Sequence, residues 1–182
     1  MMKKLNLLMR PSRILFSFLM LNLFFVMPTW GADNMRFHGA LVAEPCTIRP
    51  GDEAITMSFD PVVDKLIYSR QRTLGKQFEI HLVDCDITLG NIVTIKFTGN
   101  NNPKLPGLLA VSDPDMGVGI GIETLAGNLL PLDQSSDEMI LSNNSNTISL
   151  KAYVQGEPDA ISQRTIKRGE FNAVATFNLQ YY

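Results

Sequence analysis

Gly169-Glu170-Phe171-Asn172-Ala173-Val174-Ala175-Thr176-Phe177-Asn178-Leu179-Gln180-Tyr181-Tyr182 closes the chain, and its reading decides the fold. Phe171, Ala173, Ala175, Phe177, Leu179 and Tyr181 place an apolar or aromatic side chain at every second position. Asn172, Thr176, Asn178 and Gln180 fill most of the gaps, and only Val174 breaks the polar series. Side chains alternate faces along a strand, so this segment buries one face and wets the other. Chain termini are more often loose than strand-like. A clean strand that runs to the last residue therefore marks the terminus as a working surface.

The same period recurs upstream. Met35, Phe37, Gly39 and Leu41 share one parity, with Arg36 and His38 between them. Ile55, Met57 and Phe59 alternate next, then Phe78, Ile80 and Leu82, then Val93, Ile95 and Phe97. Leu108–Val111, Val118–Glu123 and Ile148–Val154 complete the set of short runs. Loops are expected at Pro103–Gly107, Ser112–Gly117, Pro131–Asn146 and Gln155–Arg168, and no helix-period stretch of useful length is present. Many short strands with Gly, Pro and Asn punctuation predict an all-β sandwich or barrel. The sandwich is favoured, because one disulfide near the start of the domain would tie neighbouring strands across a two-sheet core.

The beginning of the chain speaks of destination. Lys3, Lys4, Arg10 and Arg13 precede an apolar run from Ile14 to Met27, and Pro28-Thr29-Trp30-Gly31-Ala32 follows. That order reads as a secretory signal peptide over residues 1–31, cut near 31/32. The run is shorter than the roughly 20 residues of a spanning helix, so no membrane insertion is expected after cleavage. About 150 residues then remain at 32–182, enough for one domain. The charge of that part is −6, from 12 basic residues (16 less the four of the leader) and 18 acidic ones. An acidic balance without a basic cluster excludes a nucleic-acid footprint.

Cys46 and Cys85 are the two cysteines, and in an exported chain they pair as one disulfide. The loop of about 40 residues that this closes is worth roughly 3–4 kcal/mol in the chain-entropy view. Together with His38 and His81 they would make four ligands, but without paired metal-site spacing, so no metal is expected. Gly117-Val118-Gly119-Ile120-Gly121 lacks the full dinucleotide spacing and reads as a glycine-spaced strand. Neither G-x-S-x-G nor a Walker lysine occurs. His38 and His81 lie on polar sides of strands and read as solvated, as do the carboxylates. No cofactor and no catalytic group is indicated, so the chain reads as a non-enzyme.

Taken together, these residues resemble the pilin subunits of chaperone–usher fimbriae of Gram-negative bacteria. The markers are Phe37-His38-Gly39 shortly before Cys46, the Cys46/Cys85 pair, Gly169 near the end and the penultimate Tyr181. Ala32-Asp33-Asn34-Met35-Arg36-Phe37-His38-Gly39 and Leu105-Pro106-Gly107-Leu108 are similar to minor tip and adaptor subunits of P-type pili. The resemblance implies an incomplete immunoglobulin-like sandwich that lacks its seventh strand and is completed by donor-strand complementation. It implies a periplasmic pilus chaperone, an outer-membrane usher and neighbouring pilin subunits as partners, with export through the periplasm to the surface fimbrium.

By the same resemblance, Met35, Phe37, Gly39 and Leu41 form the donated strand, within an extension of about 32–41. Gly169, Phe171, Ala173, Ala175, Phe177, Leu179 and Tyr181 line the accepting groove that also binds the chaperone. The terminal carboxylate of Tyr182 would be held by basic residues of that chaperone. Burying three donor side chains is worth roughly 5–9 kcal/mol before the entropy of ordering is counted. An ordinary first strand is the other reading of Met35–Leu41. For the whole chain, a growth-terminating pilin and a self-contained secreted β-sandwich binding domain are the competing expectations.

Overall fold

Alternation built on β-branched and aromatic residues yields strands wherever a partner lies alongside. The computed structural model describes residues 37–41 and 43–182. They fall in two units, Met1–Leu41 and Val42–Tyr182. The proposed leader and Met35 lie outside the described residues. In the first unit, Phe37–Leu41 carries no regular secondary structure, and Phe37 and Leu41 are exposed.

The second unit runs β1 (Thr47–Ile48), α1 (Asp64–Arg70), β2 (Lys76–Cys85), β3 (Ile92–Gly99), β4 (Leu109–Ala110), β5 (Val118–Thr124), β6 (Met139–Ile140), β7 (Asn144–Gly156), α2 (Pro158–Gln163) and β8 (Ala175–Tyr181). One sheet has the order β1-β2-β7-β5-β4, and the other has the order β6-β3-β8. All the named pairings are antiparallel. The inner faces of both sheets meet in one core that contains Ile80 and Leu82 of β2, Val93 and Ile95 of β3, and Ile148 and Leu150 of β7. Phe78 and Phe97 cross the layers edge-to-face, 6.4 Å apart. The expected two-sheet sandwich is therefore what the chain forms.

Cys85 has the wrong parity to join Phe78, Ile80 and Leu82 on the core face. A shift of register between Val83 and Cys85, with Asp84 at φ 52°, corrects this. Such a bulge adds one residue and returns the next side chain to the buried face. Cys85 is thereby bonded to Cys46, both of them buried. The bond joins β1 and β2, which are neighbours in one sheet, so it staples strands within a layer and does not tie the two layers as expected.

β5 is covered on both sides, and its glycines are placed accordingly. A Cβ at Gly121 would run into the ring of Tyr153, which is buried on the outer face beside Leu105 and Leu108. The glycine-spaced run is thus a strand from Val118 onward, with Gly121 making room for the Tyr153 ring and Gly119 lying against Leu105 and Asn102.

Three expectations need correction. Among the described residues two helices are present, of seven and six residues; about two turns or fewer leave no readable period. Ile67 of α1 is buried, and Gln71 ends that helix in the left-handed region with its N–H on Ile67 O. The loop expected at 131–146 contains β6, only two residues long, and the polar start of β7, neither of which carries a readable alternation. Residues 55–59 form no ladder, although they alternate.

Cys46→Ser with Cys85→Ser should lower unfolding free energy by about 3–4 kcal/mol, the chain-entropy value for a loop of this length. Urea denaturation of the oxidised and double-serine forms measures the difference.

Candidate functional site

β8 is paired to one side only. Its register with β3 runs from Val93 opposite Tyr181 to Gly99 opposite Ala175, and among the described residues no ladder occupies its other edge. The burial pattern records the same asymmetry. Core-facing Val93 and Ile95 are 0% and 1% exposed, whereas Phe171, Ala173, Ala175, Phe177, Leu179 and Tyr181 are all only half-buried. The intervening Asn172, Val174, Thr176, Asn178, Gln180 and the terminal Tyr182 are exposed. An apolar face aimed inward but incompletely covered is the physical signature of a core that ends at this edge.

A groove of about 740 Å³ follows that edge. One wall is the chain from Phe171 to Phe177, and the facing wall runs from Glu53 to Phe59. Its floor is apolar, with Phe78, Phe97, Leu109, Ile120, Ile122 and Ala152 drawn from five strands of both sheets. Phe97 and Phe177 stand 6.4 Å apart, and Phe59 and Phe171 pair across the groove at 6.1 Å. A smaller cavity of about 220 Å³ continues past Phe171 to Gly169, over Ile67, Met116, Val118 and Val154. Arg168 at its rim donates to Asp64 Oδ2 through Nη2 at 2.6 Å and Nε at 2.9 Å.

The first half of the terminal segment differs from the expected strand. Regular pairing begins at Ala175, so Phe171–Val174 extends the wall without belonging to β8. Instead Ser112 N–H donates to Asn172 O at 2.8 Å and Lys167 N–H to Met116 O at 3.0 Å. These bonds hold the segment against the other sheet's side of the sandwich. Gly169 starts it at φ 155°, a backbone that side chains of L-residues rarely adopt.

Of the residues singled out from the sequence, Phe171, Ala173, Ala175 and Phe177 line the large groove. Gly169 lines the smaller cavity with Phe171. Leu179 and Tyr181 lie farther along β8, against the core. Phe37 and Leu41 belong to the separate first unit, and Met35 is outside the described residues. Sequence reading missed the facing wall: Ile55, Met57 and Phe59 show the period of a strand, but nothing in that period says which strand would cover them.

It also misread a charged cluster beside that wall. His81, expected on a solvated face, is half-buried, and Asp52 is 8% exposed. Asp52 Oδ2 accepts from the His81 main-chain N–H and contacts His81 Nδ1, both at 2.8 Å, while Arg49 Nη2 donates to Oδ1 at 3.0 Å. Glu79 Oε2 lies 3.4 Å from His81 Nε2. The main-chain bond from His81, then its ring and Arg49, hold the Asp52 carboxyl down from 3.8 to about 2, against the opposing effect of desolvation. Glu123 and Glu157 are buried too, paired to Arg72 at 2.7 Å and Lys104 at 2.9 Å, so these carboxylates are structural and not solvated. Among the described residues, no group of three or more His, Cys, Asp or Glu is placed to hold a metal. No helix there is long and apolar enough to cross a membrane.

A sandwich whose core is uncompleted along one terminal strand is the resulting geometry, and comparison with known proteins gives the class. Over residues 35–182 the chain matches the family described as Fimbrial protein, and it belongs to that family. It is 33% identical over 152 residues to a Proteus mirabilis (strain HI4320) protein assigned as minor fimbrial subunit PmfF, across 81% of this chain and 84% of that one. It is 29% identical over 157 residues to Fimbrial adapter PapK of Escherichia coli, across 82% and 88% respectively. The crystal structure of the P pilus rod subunit PapA is similar in fold, with a TM-score of 0.68 at 24% identity, over 76% of this chain and 100% of that one. The protein is accordingly a structural, non-enzymatic subunit of surface fimbriae, with the incomplete immunoglobulin-like sandwich of pilins.

Because the Asp52 pKa is depressed in the fold, its contribution to stability is present above pH 3.8 and is lost as pH falls toward about 2. Stability of the wild type, followed by denaturant titration at stepped pH, should therefore fall through that window. Asp52→Asn should be less stable at neutral pH and show a flatter acid limb.

Proposed function

We propose that this subunit is joined into the fibre by donor-strand complementation, its groove accepting an extended segment of a neighbouring subunit. The observation that carries the reading is the groove itself, with an apolar floor, a half-buried apolar strand face and, among the described residues, a strand edge without a ladder partner. An added strand pairs with such an edge through main-chain hydrogen bonds and gains selectivity from alternate side chains that enter the groove. An uncovered edge of this kind also invites aggregation. A periplasmic chaperone that occupies the groove until exchange, and an outer-membrane usher that coordinates the exchange, answer that hazard.

In this reading residues 1–31 are a signal peptide cut near 31/32, and the chain crosses the periplasm before reaching the surface. Met35, Phe37, Gly39 and Leu41 are then the strand that this subunit donates in turn. Exposure of Phe37 and Leu41 supports that role, since a donated side chain must be available to another molecule. The minor-subunit and adaptor assignments of PmfF and PapK favour a tip or adaptor position over a rod position.

Replacing Gly39 with Trp should stop fibre growth beyond this subunit while leaving its complex with the chaperone intact. Co-purification with the chaperone, together with the polymer ladder seen without boiling, measures both. Fibres of wild-type length would overturn the donor assignment. Expression without the chaperone is the companion measurement, and a soluble, long-lived monomer would favour a self-contained binding domain instead.

A further inference from the structure

The two walls of the groove are held in different ways. β8 is fixed by its ladder to β3. The facing stretch 54–62 makes no main-chain hydrogen bond to another strand among the described residues. Met57 and Phe59 lean on the core, and Lys76 Nζ donates to Ser58 O at 2.7 Å near the far end. At the near end the wall leaves directly from Asp52. There the main chain turns, with Asp52 N–H on Arg49 O and Arg49 N–H on His81 O, both at 2.9 Å. The Asp52 carboxylate closes the turn through His81 and Arg49. His81 is on β2, three positions from Phe78 in the groove floor. One buried carboxylate thus ties the unladdered wall to the floor it faces.

We infer that Asp52, through His81 and Arg49, is a positioning residue that pre-sets the width of the acceptor groove for an incoming donor strand of another fimbrial subunit. The inference rests on the donor-strand reading and adds to it a residue that does not touch the donor. Its expected signature is kinetic. Once a donor lies in the groove, main-chain bonds along the strand help to hold the wall, and the tie at Asp52 matters less. Before binding, no such bonds exist, and a wall without its tie must be ordered during encounter. Preorganisation of this kind lowers the cost of association. Its loss appears in the on-rate, unlike most interface changes, which appear in the off-rate.

The test uses the exported chain from Ala32, refolded with Cys46–Cys85 oxidised and tethered at low density so that copies do not meet. The probe is a synthetic peptide of residues 32–43 of this chain, followed in association and dissociation. Loss of a charge-assisted bond predicts an association rate for Asp52→Asn lower by about tenfold. The dissociation rate should stay within about twofold, with an unchanged saturating signal. His81→Gln retains the main-chain bond to Asp52 and loses the ring contact, so it should slow association by a smaller factor. It carries the test alone if Asp52→Asn does not refold. Wild-type association rates in these variants, or faster dissociation with unchanged association, would overturn the role of Asp52 and leave donor-strand acceptance standing. The same measurement is made with the matching N-terminal peptides of the other subunits of its fibre, and failure of the wild type to bind any of them would overturn the donor-strand reading and this inference with it.

Discussion

The pairing of β8 with β3 on one side alone is the constraint on which the rest of the structure depends. A sandwich core is normally closed by strands whose side chains reach across from each layer. Here the layer that contains β3 ends at β8, and the apolar side chains from Phe171 to Tyr181 point inward without full cover. Every other device in the domain can be understood as holding the remaining core together despite that edge. The Cys46–Cys85 bond secures β1, a strand of two residues that could not hold itself. β7, thirteen residues long, bridges β2 and β5 and supplies the continuous spine of the larger sheet.

That division of labour explains where rigidity is concentrated. β5 and β7 are covered on both faces, with Tyr153, Leu105 and Leu108 forming a second small core outside the sheet. The buried acids Glu123 and Glu157 each meet a cation, and Asn102 donates to Glu157 at 3.1 Å and to Val118 O at 3.2 Å. Buried charge is tolerated when it is paired and hydrogen-bonded. These polar clamps fasten loops to the larger sheet. The groove side, by contrast, is lined by apolar groups whose contacts are not yet complete.

How much of this was legible follows from what each signal encodes. Alternation exposed β2, β3, β8 and the first part of β7, because one face of each is sorted by burial whatever its neighbour, whereas β5 is buried on both faces and shows instead as a glycine-spaced apolar run. It failed at Ile55, Met57 and Phe59 for an instructive reason. The period marks Met57 and Phe59 as half-buried, which they are, but it carries no information about hydrogen-bond partners. It was misleading at Cys85, where a bulge at Asp84 resets the parity. It was silent on α1 and α2, too short to repeat. Asp52 and His81 are 29 positions apart in sequence and meet through a turn, so no local pattern announces them.

The wall and the strand are therefore complementary failures of ordinary folding. β8 has a ladder on one side and lacks cover over its apolar face. The wall has Met57 and Phe59 seated on the core and lacks a ladder. A single extended segment laid between them would supply the main-chain partners that the wall lacks and the apolar cover that β8 lacks. Neither wall alone specifies such a segment: β8 without the wall would be an ordinary edge strand, prone to pair with any chain. The wall, set across an apolar floor from β8, makes the open edge one side of a groove bounded on both sides. On the donor-strand reading proposed above, selectivity would rest on how the unladdered wall is held as well as on the strand that pairs.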